Sequence, residues 1–408
     1  MGNAKTSNTS KSAALFWTSL IAILLSILNH AYLLVEHYRI RYGEATGSSF
    51  CNINDLFSCA AVSASQYSEF AGIPIALWGL AANCVLGGLF LFYAWGDESK
   101  KASARRNVLL VGALIALASI VMGSISTFVL SRFCPFCIVA YALSFIAFGS
   151  LWLYTRDTDT AVPSAPLTSG FTPLAILSGI ALLGVFVTHQ QALMHYKAKD
   201  LEPYIRQSIQ EWQSQAPREI EAHEPLVMGA PAETAKMIIT EFADYRCIHC
   251  KTAAPTLKAF VTAHSEDVRL EFMTWPLDGE CNTSISQANG ASCLLARAVH
   301  CVEKTTGQGW NAQAFVFDNQ DRFTTKAAVE ALLPEIAQAG GMDPKEIETC
   351  VESPEIRAAI EKQAAIGTSL NLRGTPAIFV NGKSLPFGQR IQTLEEIYRL
   401  VKSSQTQR

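Results

Sequence analysis

Between Asn107 and Tyr154 the chain carries a single charged residue, Arg132. A hydrocarbon core about 30 Å thick takes about 20 apolar residues per helical span, so this stretch has the length of two spans joined by a tight turn at Arg132. The halves are Asn107 to Leu130 and Cys134 to Tyr154, and similar runs extend over Ala14 to Val35, Ile73 to Trp95 and Phe171 to about Gln190. Five helical spans follow, because backbone groups in lipid must bond within their own segment. The first run is long and no small-residue cleavage site follows it, so it reads as a retained span.

The charges divide the chain in two. Residues 1–195 hold 18 Asp, Glu, Lys and Arg, whereas residues 196–408 hold the other 49. The first part has membrane composition and the second has that of a soluble domain with one well-buried core. A wholly soluble cytosolic enzyme is excluded, and a net charge of −3 without basic blocks argues against nucleic acid as a partner. The organisation expected is a short N-terminus (1–13), a transmembrane unit (14–190), a linker (191–225) and a soluble domain (226–408). Lys5, Lys11, Lys100, Lys101, Arg105, Arg106 and Arg156 fall on one side of the spans, against Arg39, Arg41 and Arg132 on the other. The richer side is cytoplasmic by the positive-inside rule. Five spans then carry the soluble domain across the bilayer.

That topology puts three cysteine pairs on the oxidising side, where disulfides persist: Cys51 with Cys59, Cys134-Pro-Phe-Cys137 at the mouth of span four, and Cys247-Ile-His-Cys250. A Cys-x-x-Cys pair at a helix start has a chemical logic. The thiolate is the nucleophile, and unpaired N–H groups at the helix N-terminus favour it over the thiol. The alternative, half a zinc site, needs four ligands at one locus, and no metal is expected. Cys84 falls mid-span and is expected to be buried as a small hydrophobe. Asn29 and His30 in span one are expected to make structural hydrogen bonds.

Cys51, Cys59, Ser65, the Gly72-Ile73-Pro74 entrance to span two, Cys134-Pro-Phe-Cys137 and Tyr141 together resemble the vitamin K epoxide reductase family over about residues 14–160. The resemblance implies a four-helix core around a membrane quinone, ubiquinone or menaquinone. By it Cys137 reacts with the quinone, Cys134 exchanges with Cys59, and Cys51 receives electrons from an outside dithiol. Ser65 and Tyr141 become supporting residues, with Tyr141 beside the quinone.

In the soluble half, Met237 to Phe242 reads as a buried strand, Cys247 opens a helix to about His264, and Val268 to Thr274 is a second strand. Helical pattern fills about Gln287 to Ile366, and Ala377 to Val380 enters a hairpin through Asn381-Gly382. This is the order of a thioredoxin fold. Its helical insertion resembles the DsbA-like periplasmic oxidases over about residues 226–405. That resemblance makes Cys247 the exposed nucleophile and Cys250 the resolving thiol. It also makes Pro376 of Gly374-Thr375-Pro376 a cis proline facing the sulfurs, and Glu241 a partly buried carboxylate that assists proton transfer. His249 matches the histidine between the cysteines, which stabilises the thiolate and makes the disulfide more oxidising. Ile248 stands where strongly oxidising members commonly have proline. Cys281, Cys293, Cys301 and Cys350 are expected to be structural, paired 281 with 293 and 301 with 350, although four cysteines allow three connectivities.

The function expected is that of a thiol oxidase in a bacterial inner membrane. It would draw electrons from reduced exported proteins through Cys247/Cys250, Cys51/Cys59 and Cys134/Cys137 to quinone, with the lipid bilayer as its surroundings. The rival readings are a membrane-anchored isomerase or reductase, and a thiol-binding chaperone.

Overall fold

The computed structural model describes residues 2–42, 57–97, 100–158, 170–196 and 198–406. Cys51 lies outside them. Contacts divide the chain into two compact units, one running to Arg39 and resuming after the first loop as far as Ala198, the other taking in Ile40 to Tyr42 and the chain from Lys199 onward.

The first unit is helical. Helix α1 covers Gly2–Arg41, α2 the short turn Cys59–Ala64, α3 Ile75–Trp95, α4 Lys101–Ser124, α5 Pro135–Thr158 and α6 Thr172–His195. A two-residue hairpin, β1 (Glu69–Phe70) and β2 (Ile73–Pro74), precedes α3. Among the described residues, five segments are long and apolar enough to cross a membrane: Lys11–Arg41, Ile75–Trp95, Lys101–Leu130, Pro135–Arg156 and Thr172–His195. Their interior holds Ile23, Leu86, Leu89, Phe90, Val108 and Leu151. Polar pairs tie the helices where apolar packing alone has little preference for protein over lipid, as in the 2.8 Å bond between the Ser19 and Ser150 hydroxyls. Leu24, Leu25, Leu28, Leu117 and Leu183 are exposed on the outside of this unit, the arrangement a lipid-facing surface requires. Cys84 is exposed too, which corrects the expectation of burial. Its neighbours Asn83 and Val85 face inward instead.

The end of α4 changes character. Residues Ile125–Leu130 widen into π-type turns that end at Ser131, whose φ of 49° and ψ of 32° are left-handed. The Ser126 hydroxyl donates to the Arg132 carbonyl, and the chain turns directly into Cys134 and α5.

The second unit is a five-stranded mixed sheet with helices. After α7 (Ala198–Ser214) come β3 (Leu226–Gly229), β4 (Met237–Ala243), α8 (Ile248–Ala263) and β5 (Val268–Thr274). Helices α9 (Ala291–Thr306), α10 (Gly309–Asp318), α11 (Lys326–Ala339), α12 (Ile347–Val351) and α13 (Pro354–Ser369) form the insertion. Strands β6 (Ala377–Val380) and β7 (Lys383–Ser384) and helix α14 (Ile391–Thr406) complete the chain. The sheet order is β3-β5-β4-β6-β7. Strand β4 runs parallel to β5 and antiparallel to β6, so it is central, and the turn after it is where α8 starts. The insertion contributes most of one core, with Leu295, Val299, Val316, Leu333 and Ile336 packed around Tyr245, Cys250 and Phe272. The sulfurs of Cys281 and Cys293 are bonded, as are those of Cys301 and Cys350.

Candidate functional site

Each unit carries one thiol site. In the second, Asp244 shapes the approach to α8. One carboxylate oxygen accepts the Arg246 N–H at 2.6 Å and the other accepts the Leu277 N–H at 2.7 Å, fixing the turn between β4 and α8. Cys247 then caps the helix in extended conformation, φ −77° and ψ 121°. Cys247 and Cys250 are free thiols, the first half-buried and the second buried.

The Cys247 thiol is pulled down to about 5 from an ordinary 9. The largest cause is a hydrogen bond from Cys250; the Thr375 side chain and the backbone N–H groups of Cys250 and His249 add to it, while burial opposes. These amides are the unpaired donors of a helix N-terminus. The Cys250 thiol is pushed well up, first by burial and then by its bond to Cys247. The imidazole of His249 is exposed, and it is the residue's backbone N–H that serves the sulfur. Cys247 Sγ lies 3.3 Å from the Thr375 carbonyl, and the Thr375–Pro376 peptide is cis. Behind the pair, Glu241 on β4 is 1% exposed, and its Oε1 has no hydrogen-bond partner. Burial raises its carboxyl to about 8, against the pull of Lys258, so at neutral pH it is largely protonated.

The site of the first unit is built by two segments running side by side. Phe57 and Phe133 form a parallel bridge, and the Ser58 N–H donates to the Phe133 carbonyl at 2.9 Å. Ser58 caps α2, its hydroxyl accepting the Ala61 N–H at 3.1 Å, which sets Cys59 at the first helical position. Its neighbour across the bridge is Cys134, and the two sulfurs stand 3.1 Å apart. Cys59 is itself disulfide-bonded, whereas Cys134 and Cys137 are free. The Cys137 N–H donates to the Cys134 sulfur at 3.1 Å, and Asn29 holds the turn between them by donating to the Phe136 carbonyl at 3.0 Å. Ser65 ends α2, bonding back to the Val62 carbonyl through both hydroxyl and backbone N–H.

Cys137 packs against the cluster of Cys59 and Cys134 and opens on a second surface. It lines a cavity of about 90 Å³ with His30, His37, Tyr67, Met122, Leu130 and Tyr141, among others. Tyr141 lies one turn after Cys137 on α5, and its ring rests 3.6 Å from where a Cβ on Gly123 would stand, so the glycine leaves space for it. The Tyr141 hydroxyl has no partner among the described residues. Apolar walls, a phenol available to donate, and a sulfur in the wall together fit a quinone ring. His30, His37 and Glu69 were not singled out for the site by sequence. His30 Nδ1 donates to the Ser26 carbonyl at 2.8 Å, as a structural histidine would, yet its ring also enters the cavity wall. His37 Nε2 pairs with Glu69 Oε1 at 3.2 Å across 32 positions of sequence. Among the described residues, no group of three or more His, Cys, Asp and Glu could hold a metal.

The two units are two kinds of redox fold. Residues 14–152 match the vitamin K epoxide reductase family, and residues 221–403 match a thioredoxin family. The chain is therefore a fusion of a vitamin K epoxide reductase-like membrane region with a thioredoxin-like domain. It is 27% identical over 89 residues to the thiol:disulfide interchange protein DsbL of Lelliottia amnigena, a match covering 22% of this chain and 40% of that protein's length. Among solved structures it is similar to oxidised BdbD of Bacillus subtilis, at 19% identity and a TM-score of 0.38, over 46% of this chain and 96% of that one. A thioredoxin-like oxidoreductase of Silicibacter pomeroyi matches at 25% identity and a TM-score of 0.35, over 44% and 93%. Wolbachia pipientis alpha-DsbA1 matches at 17% identity and a TM-score of 0.36, over 48% and 98%.

Proposed function

We propose that this chain is a quinone-dependent thiol oxidase that makes disulfides in exported proteins. The observation that carries the reading is the row of sulfurs in the first unit. Cys134 stands 3.1 Å from the disulfide-bonded Cys59, while Cys137, three residues on, lines the cavity. One sulfur of the pair faces a protein disulfide and the other faces a small-molecule site, the arrangement that passes electrons from thiols to an acceptor.

Each transfer is an exchange through a mixed disulfide. A substrate thiolate attacks Cys247 of the oxidised pair and Cys250 leaves, taking the proton that buried Glu241 holds; the second substrate thiol then releases Cys247. Two thiols have become one disulfide, and the pair is reduced. Reoxidation passes through the loop cysteines Cys51 and Cys59 to Cys134. Closing the Cys134–Cys137 disulfide sends two electrons to the cavity and frees two protons. A quinone held there would supply the two-electron, two-proton acceptor. Tyr141 would offer its hydroxyl as a hydrogen-bond donor to such a group, and the cavity histidines His30 and His37 would carry protons.

The Cys247 thiol supports this direction of flow. A thiolate stable near pH 5 stabilises the reduced pair and so makes its disulfide the stronger oxidant. Residues 14–190 would form the membrane unit of a bacterial inner-membrane protein, with 191–225 the linker and 226–408 the domain on the outer side. Joining the two sites in one chain raises their effective concentration. Reduced peptide added to the purified full-length chain should consume quinone in equal amount to disulfide formed, and Cys137→Ala should stop it. Reshuffling of disulfides without quinone consumption would mark an isomerase, and no thiol oxidation at all a chaperone; either result overturns the oxidase.

A further inference from the structure

The turn that presents Cys247 is held from outside its own fold element. Tyr245, Arg246 and Cys247 join β4 to α8, where carbonyls lack a full set of sheet or helix partners and take other donors as well. Gln320, half-buried in a single 3₁₀ turn of the insertion (Gln320–Arg322), supplies them. Its side-chain nitrogen donates to the Tyr245 carbonyl at 2.9 Å and to the Cys247 carbonyl at 3.0 Å. One amide group thus spans both ends of the turn. The same stretch of insertion grips the flanking residues: the Arg246 guanidinium donates to the Thr324 carbonyl at 3.0 Å, and Lys251 Nζ to the Asp318 carbonyl at 3.4 Å.

We propose that Gln320 is a positioning residue for thiol exchange at Cys247, holding its turn so that the helix amides aim at the sulfur. The proposal deepens the oxidase reading and rests on Cys247 being the exchanging sulfur. The Cys247 carbonyl belongs to the residue whose sulfur becomes negative, and it already accepts the Lys251 N–H at 3.1 Å. The Gln320 donor takes up its remaining lone pair and fixes its plane. The peptide planes that follow carry the His249 and Cys250 N–H groups. Should the turn rotate, these donors swing off the sulfur and the thiolate loses what stabilises it. Neither hydrophobic packing nor a carboxylate at position 320 replaces the function: an apolar group offers no donor, and a carboxylate meets two carbonyl oxygens with two more acceptors.

The test uses the full-length chain in detergent, reduced, with Cys247 alkylation by iodoacetamide followed against pH at peptide level. In Gln320→Met, of similar volume but without a donor, the pH midpoint should rise by about half a unit or more, equivalent to about threefold in thiolate stability. Gln320→Glu should raise it further. The equilibrium of the Cys247–Cys250 disulfide with glutathione should shift toward the oxidised form by the same factor. Unchanged midpoints in both variants, even with a lowered melting temperature, would show a merely structural contact and overturn the proposal. If wild type consumes no quinone while the midpoints still rise, the oxidase reading fails and the positioning role stands.

Discussion

The two Cys-x-x-Cys pairs share a spacing and a place at a helix start, yet they distribute their sulfurs differently. In the thioredoxin-like domain the first sulfur, Cys247, is accessible and the second is buried, so partners must meet one and the same atom. In the membrane unit the first sulfur, Cys134, is 2% exposed and packed against Cys59, while the second lines the cavity. There each sulfur has its own surroundings. The surroundings account for the difference. A helix N-terminus in water favours an accessible thiolate, whereas one flanked by a disulfide-bonded cysteine and an apolar cavity would, on the proposed relay, serve as an entry and an exit.

Removing the second cysteine of each pair gives the sharpest test and the largest effect. Cys137→Ala should abolish quinone reduction and leave a Cys59–Cys134 mixed disulfide on a non-reducing peptide map. Cys250→Ala should instead trap Cys247 on substrate peptides or on the loop cysteines. Finding Cys134 unlinked in the first variant would break the division of roles between the two membrane sulfurs.

A second prediction concerns acid. With the thiol at about 5, Cys247 is about 99% thiolate at pH 7. Its alkylation, corrected for the reagent, should be flat above about pH 6 and fall about tenfold per unit well below 5. A bulky water-soluble maleimide should label Cys247 in the folded chain and leave Cys134 unmodified until detergent denaturation. Glu241 sets a separate dependence. Its folded-state value of about 8 lies above the ordinary 4.5, so the fold holds this proton more tightly than the unfolded chain does. The associated stability is complete below about 4.5 and is lost as pH rises through 8. Against Glu241→Gln, wild type should therefore lose up to about 1.4 kcal/mol per pH unit in that window. Parallel melting profiles across it would contradict a buried neutral acid.

How much of this was legible in the sequence varies with the kind of signal. Apolar runs and the strand, Cys-x-x-Cys helix, strand order were plain, because length and period register burial directly. The inward and outward faces of the spans were not. Lipid is as apolar as a helix interior, so α3 shows no amphipathic pattern, and nothing distinguishes exposed Cys84 from buried Val85 beside it. The pair of His37 with Glu69 joins a span to a two-residue hairpin too short to show a period. Gln320 gives no signal either, since its role lies in reaching a turn more than 70 positions away. For Cys281, Cys293, Cys301 and Cys350, spacing left three pairings open, and only the packing of α9 against α12 distinguishes them.

A smaller effect is expected from the membrane unit's cavity wall. A methyl on Gly79 would stand 2.2 Å from Cδ2 and Nε2 of His30, so Gly79→Ala must displace the imidazole. Overpacking of this kind costs about 1 to 3 kcal/mol. Quinone turnover should fall by about tenfold with a raised KM, while alkylation of Cys247 stays as in wild type. An unchanged KM would remove His30 from the acceptor site.

The smallest effect tests how Cys59 is held. Ser58 does two things: its backbone N–H bonds the Phe133 carbonyl, and its hydroxyl caps α2. Ser58→Ala removes only the second, at about 1 kcal/mol for a lost cap. The bridge that sets Cys59 beside Cys134 remains, so their exchange should slow only by about fivefold, and Ser58→Asp, which can also cap, should restore most of it. A loss beyond about a hundredfold would mean that the cap, and not the Phe57–Phe133 bridge, aligns the sulfurs. The membrane pair would then depend on a helix end for its geometry just as Cys247 does, and the contrast between the two sites would narrow to what each sulfur faces.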